Sequence, residues 1–152
     1  MVIKRDRYLE KLISKQNNGM IKVITGLRRC GKSFLLFELY RDYLISSGVP
    51  ENNILCIPLD DVDYEEYCDP HKLHTYIKEQ VNDPEQQYYV FIDEAQYAIS
   101  KEEMKNPDVP IRLYGVLNSL LRKRNVDVYI TGSNSKFLSS DIMTEFRGRG
   151  EE

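Results

Sequence analysis

The sequence predicts an α/β domain built on a mostly parallel sheet, and three observations lead there. Short apolar runs alternate with segments of helical period along the chain, the pattern of a parallel sheet whose connections are helices. The run Tyr88-Tyr89-Val90-Phe91-Ile92 is apolar throughout rather than alternating, as a strand covered on both faces must be. Gly26, Asp93 and Ser133 each follow the carboxyl end of a predicted strand, the edge of an open parallel sheet where ligands bind.

Composition narrows the function. The 152 residues make one ordinary domain. Lys and Arg number 21 against 24 Asp and Glu, a net charge of −3. No global basic field draws in a polyanion, which argues against a dedicated nucleic-acid binder and leaves local basic patches open. A hydrophobic fraction of 41% is enough for a core. No apolar run approaches a membrane span, and the charged start MVIKRDRYLE does not read as a signal peptide. Cys30, Cys56 and Cys68 form an odd set without CxxC spacing, which fits free thiols in a reducing cytoplasm.

Along the chain, residues 3–15 read as an amphipathic helix with Ile3, Leu9, Leu12 and Ile13 near one face. It either packs on the edge of the domain or walls a nucleotide base. Gln16 to Gly19 is a turn signal. Residues 1–19 therefore read as an N-terminal helix or linker, and 20–152 as the core domain.

A strand over 21–25 runs into Gly26-Leu27-Arg28-Arg29-Cys30-Gly31-Lys32-Ser33, with Phe34 directly after it. This is G-x-x-x-x-G-K-S, a phosphate-cradling loop. Its glycines let successive backbone N–H groups converge on phosphate oxygens, and the following helix presents its positive end. Lys32 supplies a point charge, and the Ser33 hydroxyl suits Mg²⁺. The bland alternative is a Gly-rich turn with an incidental lysine.

A helix follows over 32–46, then a strand over 53–59. The acidic stretch Asp60, Asp61, Asp63, Glu65 and Glu66 lacks the spacing of a calcium loop and reads as a solvated connection, with Asp60 near the site. Residues 70–81 are helical, with Asp69 as N-cap and Pro70 first. Cys68, His71 and His74 suggest metal spacing but have no evident fourth ligand, so an ordinary helix face is the better reading. Residues 100–110 read as a polar loop and 111–124 as a helix. Its Arg122-Lys123-Arg124 end suits the helix dipole better than a nucleic-acid contact. A strand over 126–131 and a short helix over 135–142 complete the chain.

The strand ending in Asp93-Glu94 is what a nucleotide triphosphatase needs after its phosphate loop. Asp93 can hold the Mg²⁺ shell, and Glu94 can orient and deprotonate water. Ser133 or Asn134 could bring a polar group toward the γ-phosphate, unless Gly-Ser-Asn is only turn chemistry. Arg147 or Arg149 could act as an arginine finger, worth about 10³–10⁵ in rate, or belong to a charged tail.

TGLRRCGKS, YVFIDEAQ, ITGSNSKFLS and FRGRG, in that order, resemble the N-terminal ATPase domain of prokaryotic AAA-type ATPases with an R-R-x-G-K-S phosphate loop. The resemblance implies ATP and Mg²⁺, with Lys32 and Ser33 at the phosphates and Asp93-Glu94 as the Walker B pair. It implies Ser133 or Asn134 as sensor and an arginine of the G-R-G segment as finger. It also implies a three-layer αβα fold with five parallel strands, the phosphate-loop strand lying between the fourth and fifth. The fifth strand is expected after Arg149, so the chain reads as a truncated P-loop domain lacking that strand. The strand over 21–25 would then be an open edge prone to association. The partners implied are the missing C-terminal region, often nuclease-like in that family, and a second copy of the chain.

The expected function is Mg-dependent ATP hydrolysis within a larger cytoplasmic protein. The alternatives are a nucleotide-gated interaction module with negligible turnover and a helicase-like ATPase stimulated by nucleic acid. A small-molecule kinase fits less well, because no Arg-rich lid is found.

Overall fold

Ile21–Ile24 (β1), Ile54–Pro58 (β2), Tyr88–Asp93 (β3), Val126–Thr131 (β4) and Met143–Phe146 (β5) form a single sheet. Its order is β2-β3-β4-β1-β5, and every neighbouring pair is parallel. The computed structural model describes residues 9–17, 19–24, 35–132 and 143–146. Parallel strands need crossovers, and those from β1 to β2, β2 to β3 and β3 to β4 carry helices that cover both faces. Every residue of β1, β3 and β4 is accordingly buried.

Side-chain alternation divides the core in two. On one face Ile24, Tyr89, Phe91 and Tyr129 pack against a helix that follows β1. This helix, α2, starts as a π-helical segment over Leu35–Tyr40 and continues as an α-helix over Arg41–Ser46. Tyr40 anchors it, with its ring 4.9 Å from Tyr129 and 5.7 Å from Phe91. Residues 9–14 form a first helix, α1, whose Leu12 is buried in the same cluster. Residues 3–8 of the expected helix, Ile3 among them, lie outside the described residues.

On the other face Val90, Ile92, Val128 and Ile130 meet two helices. Pro70–Gln80 (α3) contributes Leu73 and Ile77, and Arg112–Leu121 contributes Leu113, Leu117 and Leu120. The Asp69 side chain accepts the His71 N–H at 3.3 Å, and Pro70 occupies the first turn, where a missing N–H costs nothing. The acidic connection after β2 is a 3₁₀ helix over Val62–Cys68, and its five carboxylates are exposed as a solvated segment requires.

Three expectations need correction. The fifth strand does not lie beyond Arg149. It is Met143–Phe146, paired with β1 from Ile21↔Met143 to Ile24↔Phe146. β1 is therefore flanked on both sides, and its buried backbone groups have ladder partners instead of forming an open edge. Met-Thr-Glu-Phe is too short and mixed for its period to be read from sequence. The expected place of β1 between the fourth and fifth strands is the observed one.

The second correction concerns residues 100–110, read as a loop, where Lys101–Lys105 form a short helix (α4). The third is that the following helix (α5, the Arg112–Leu121 helix above) stops at Leu121 rather than at 124. The expected helix over 135–142 lies outside the described residues.

Candidate functional site

The carboxyl edge of the sheet is where β3 and β4 end side by side. Their ladder pairs Ile92 with Ile130, which brings the next residues, Asp93 and Thr131, together. Alternation places both on the face that α2 covers, in line with Phe91 and Tyr129. The Thr131 hydroxyl donates to Asp93 Oδ1 at 2.5 Å and accepts the Glu94 N–H at 2.8 Å.

Glu94 is the turning point of the chain. Its φ of 55° and ψ of 55° put it in the left-handed region, which costs a residue with a side chain about 1–2 kcal/mol. That conformation ends β3 abruptly and starts a 3₁₀ turn over Ala95–Ala98. Gln96 Nε2 donates to Glu94 Oε1 at 2.7 Å. Asp93, Glu94 and Thr131 are 3%, 1% and 0% exposed. Two adjacent carboxylates removed from water to this degree need donors, and Thr131 and Gln96 are two of them.

Neighbouring strand ends are tied in. Leu59 N–H donates to Asp93 O at 3.0 Å, and Gly132 N–H donates to Ile24 O at 3.3 Å. The end of β4 is thereby joined to the end of β1, the strand that leads into the Gly26–Ser33 segment.

Of the residues singled out in the sequence, the structure describes Asp93 and Glu94 and brings them to this edge. Gly26, Leu27, Arg28, Arg29, Cys30, Gly31, Lys32, Ser33 and Phe34 lie outside the described residues, as do Ser133, Asn134, Arg147 and Arg149. Asp60 is exposed beyond β2. Among the described residues no group of three His, Cys, Asp or Glu is arranged to hold a metal. His74 Nε2 instead meets Ser119 Oγ at 3.0 Å, and burial holds the ring below its ordinary pKa.

Thr131 and Gln96 are the residues that sequence reasoning did not assign. The signal for Thr131 was a hydroxyl at the end of a wholly buried strand. A cavity of about 740 Å³ opens between α4 and α5, but it is mainly apolar and none of Asp93, Glu94 and Thr131 lines it. The acidic pair lies at the sheet edge instead. A carboxylate there is a hard oxygen donor, the kind that Mg²⁺ takes alongside phosphate oxygens and water.

Residues 18–152 match the family described as an AAA domain. The chain belongs to that family. This AAA domain is thus a nucleotide-binding domain of the ATPase type. It is 34% identical over 148 residues to an uncharacterized protein of Haemophilus influenzae, covering 97% of this chain and 34% of that protein. It is 30% identical over 152 residues to an uncharacterized protein of Methanocaldococcus jannaschii, covering 97% of this chain and 28% of that one. The chain therefore spans about a third of the length of these relatives.

Among solved structures, the AAA domain is similar to a chain of Drosophila ORC bound to DNA, with a TM-score of 0.57 and 15% identity over 94% of this chain and 88% of that one. A DNA replication initiation factor gives a TM-score of 0.53 and 15% identity over 93% of this chain and 44% of that one. These likenesses show the fold. No helix among the described residues is long and apolar enough to cross a membrane.

Proposed function

We propose that this AAA domain binds ATP with Mg²⁺ and hydrolyses it. The observation that carries the reading is the buried Asp93-Glu94 pair, held at the carboxyl edge by Thr131. A domain that only bound nucleotide would need no second carboxylate locked beside the first.

In this reading the backbone N–H groups of the Gly26–Ser33 loop cradle the phosphates, and Lys32 reaches the outer ones. Ser33 and Asp93 hold the metal. Bound Mg²⁺ offsets charge on the β- and γ-phosphates. The Glu94 carboxylate orients a water and accepts its proton as the water oxygen bonds to the γ-phosphorus. The β–γ bridging bond breaks, leaving ADP and phosphate. Ser133 or Asn134 supplies a polar contact from the end of β4, and Arg147 or Arg149 stabilises the developing charge.

Turnover serves a larger prokaryotic protein of the cytoplasm, since the relatives extend well past the matched segment. Its remaining region and a second copy are the partners, and a nucleic acid is a candidate activator.

The test is ATP turnover by wild type and by Glu94→Gln, with nucleotide binding measured in parallel. Loss of a general base lowers kcat about 10²–10⁴-fold, with affinity for ATP retained. Equal turnover by the two proteins, or binding without turnover in the wild type, overturns the reading. Stimulation by added DNA or RNA would add the helicase-like activity.

A further inference from the structure

We infer that Thr131 is a positioning residue for hydrolysis, whose hydroxyl sets the Asp93 carboxylate and the Glu94 backbone in one arrangement. The inference rests on the ATPase reading above and names a residue on a different strand from the acidic pair. A hydroxyl has one proton to give and lone pairs to receive with. The Thr131 O–H donates a hydrogen bond to Asp93 Oδ1 at 2.5 Å, and its oxygen accepts the Glu94 N–H at 2.8 Å. A single group thus touches both residues of the pair.

Each bond does a different job. Donation to Oδ1 fixes the rotation of the Asp93 carboxylate and so fixes which lone pairs face the sheet edge. Acceptance from Glu94 N–H gives a partner to a backbone donor that leaves the strand, because its residue has turned into the left-handed region. That turn aims the Glu94 side chain. Left-handed backbone at a residue other than glycine persists where its surroundings over-determine it, and Thr131 is one of those surroundings.

Thr131 is fully buried, so exchange with water cannot replace these bonds. Its β-branched shape also suits the strand. Valine would match that shape while removing both hydrogen bonds. Serine would keep the hydroxyl.

The experiment compares wild type with Thr131→Val, Thr131→Ala and Thr131→Ser. It measures ATP turnover, the Mg²⁺ concentration for half-maximal rate, and binding of a fluorescent ATP analogue with and without Mg²⁺. In either hydroxyl-free variant kcat falls about ten- to hundredfold and KM changes much less. More Mg²⁺ is needed, and the gain in analogue affinity on adding Mg²⁺ shrinks. Thr131→Ser restores most of each property. In a Glu94→Gln background the loss of the hydroxyl has little further effect on turnover, because the two act as a unit.

Wild-type kcat and Mg²⁺ requirement in both hydroxyl-free variants overturn the inference. So does a serine variant as impaired as the valine, or losses that multiply independently with Glu94→Gln. A wild type that binds the analogue without turnover defeats the hydrolysis reading instead. The Mg²⁺-dependent binding then still decides whether Thr131 positions Asp93.

Discussion

Lys22 of β1 and Asp127 of β4 form an ion pair inside the sheet, with the lysine 0% and the aspartate 4% exposed. Lys22 lies opposite Tyr129 in the ladder, and its ammonium sits 4.9 Å from the centre of that ring. Asp127 Oδ2 also accepts the Asn17 N–H at 2.9 Å and the Tyr129 hydroxyl at 2.7 Å. Tyr129 shares a further bond of 2.5 Å with the hydroxyl of Tyr40 on α2. Burial pushes the Lys22 ammonium below its ordinary range, and Asp127 pulls it partly back.

Removing one partner of a buried pair leaves a charge without its counter-ion, which costs about 3–5 kcal/mol, whereas an apolar pair of similar volume is often neutral. Asp127→Ala is therefore expected to destabilise the domain strongly, and Lys22→Met with Asp127→Leu to cost much less. Urea unfolding measures both. An Asp127→Ala variant no less stable than the double replacement would show that the pair is not what holds β1 to β4.

The start of α4 carries a capping box. Glu103 N–H donates to Ser100 Oγ at 3.1 Å, and Ser100 N–H donates to Glu103 Oε1 at 2.7 Å. Glu103 Oε2 also accepts the Arg112 N–H at 2.8 Å and so joins α4 to α5. Burial alone would raise the Glu103 pKa, but the hydrogen bonds from Arg112 and Ser100 outweigh it and hold the group below 4.5. A depressed carboxylate contributes stability that is present above the unfolded value and lost as pH falls through the folded one. Glu103→Gln should thus cost stability at neutral pH, and the difference from wild type should shrink as pH falls below 4.5. Ser100→Ala should cost about 1 kcal/mol. Melts from pH 3 to pH 7 give both curves, and a gap that stays constant with pH refutes the charge dependence.

The elements most legible in sequence were those whose signals are local. β3 is apolar at five consecutive positions, and α3 announces its start through Asp69 and Pro70. Asp93-Glu94 was legible because an acidic pair ended an unmistakable strand. α4 was less so, although Ser100-Lys101-Glu102-Glu103 carries the S-x-x-E pattern, because no apolar period follows it. The Thr131–Asp93 bond joins residues 38 apart in the chain, and the Lys22–Asp127 bond joins residues 105 apart. Which strands lie side by side is a long-range outcome, and hydrophobic period carries no trace of it. β5 was hidden for a different reason, since four mixed residues are too few to show a period.

Cys56 on β2 should be chemically quiet in the folded protein. Burial pushes its thiol up to about 11 from an ordinary 9, with the nearby Arg41 opposing and Glu38 adding to the shift. Thiolate is the reactive form, so at pH 8 alkylation of the native protein should be about a hundredfold slower than in the unfolded chain. The stability linked to this shift is complete below the unfolded value of 9 and lost as pH rises through about 11. Cys56→Ala should flatten that alkaline decline. Mass spectrometry of timed alkylation and alkaline melts follow the two effects. Native and unfolded chains labelling at the same rate would contradict the shift.

Nucleotide binding should appear first as stability. A ligand that binds only the folded chain adds RT ln(1 + [L]/Kd), about 2.7 kcal/mol at a hundred times Kd. For a domain of this size that raises Tm by roughly 5–10 °C. In the proposed site the phosphates meet the loop after β1, and β1 is clamped between β4 and β5. Phosphate contacts therefore bear on a strand bonded on both sides rather than on a fraying edge. Lys32→Ala should lose most of the shift produced by ATP with Mg²⁺. Glu94→Gln should keep it, because that carboxylate acts on the water and not on nucleotide affinity. The comparison separates binding from chemistry before any rate is measured, and an equal shift in Lys32→Ala would place the nucleotide somewhere other than this loop.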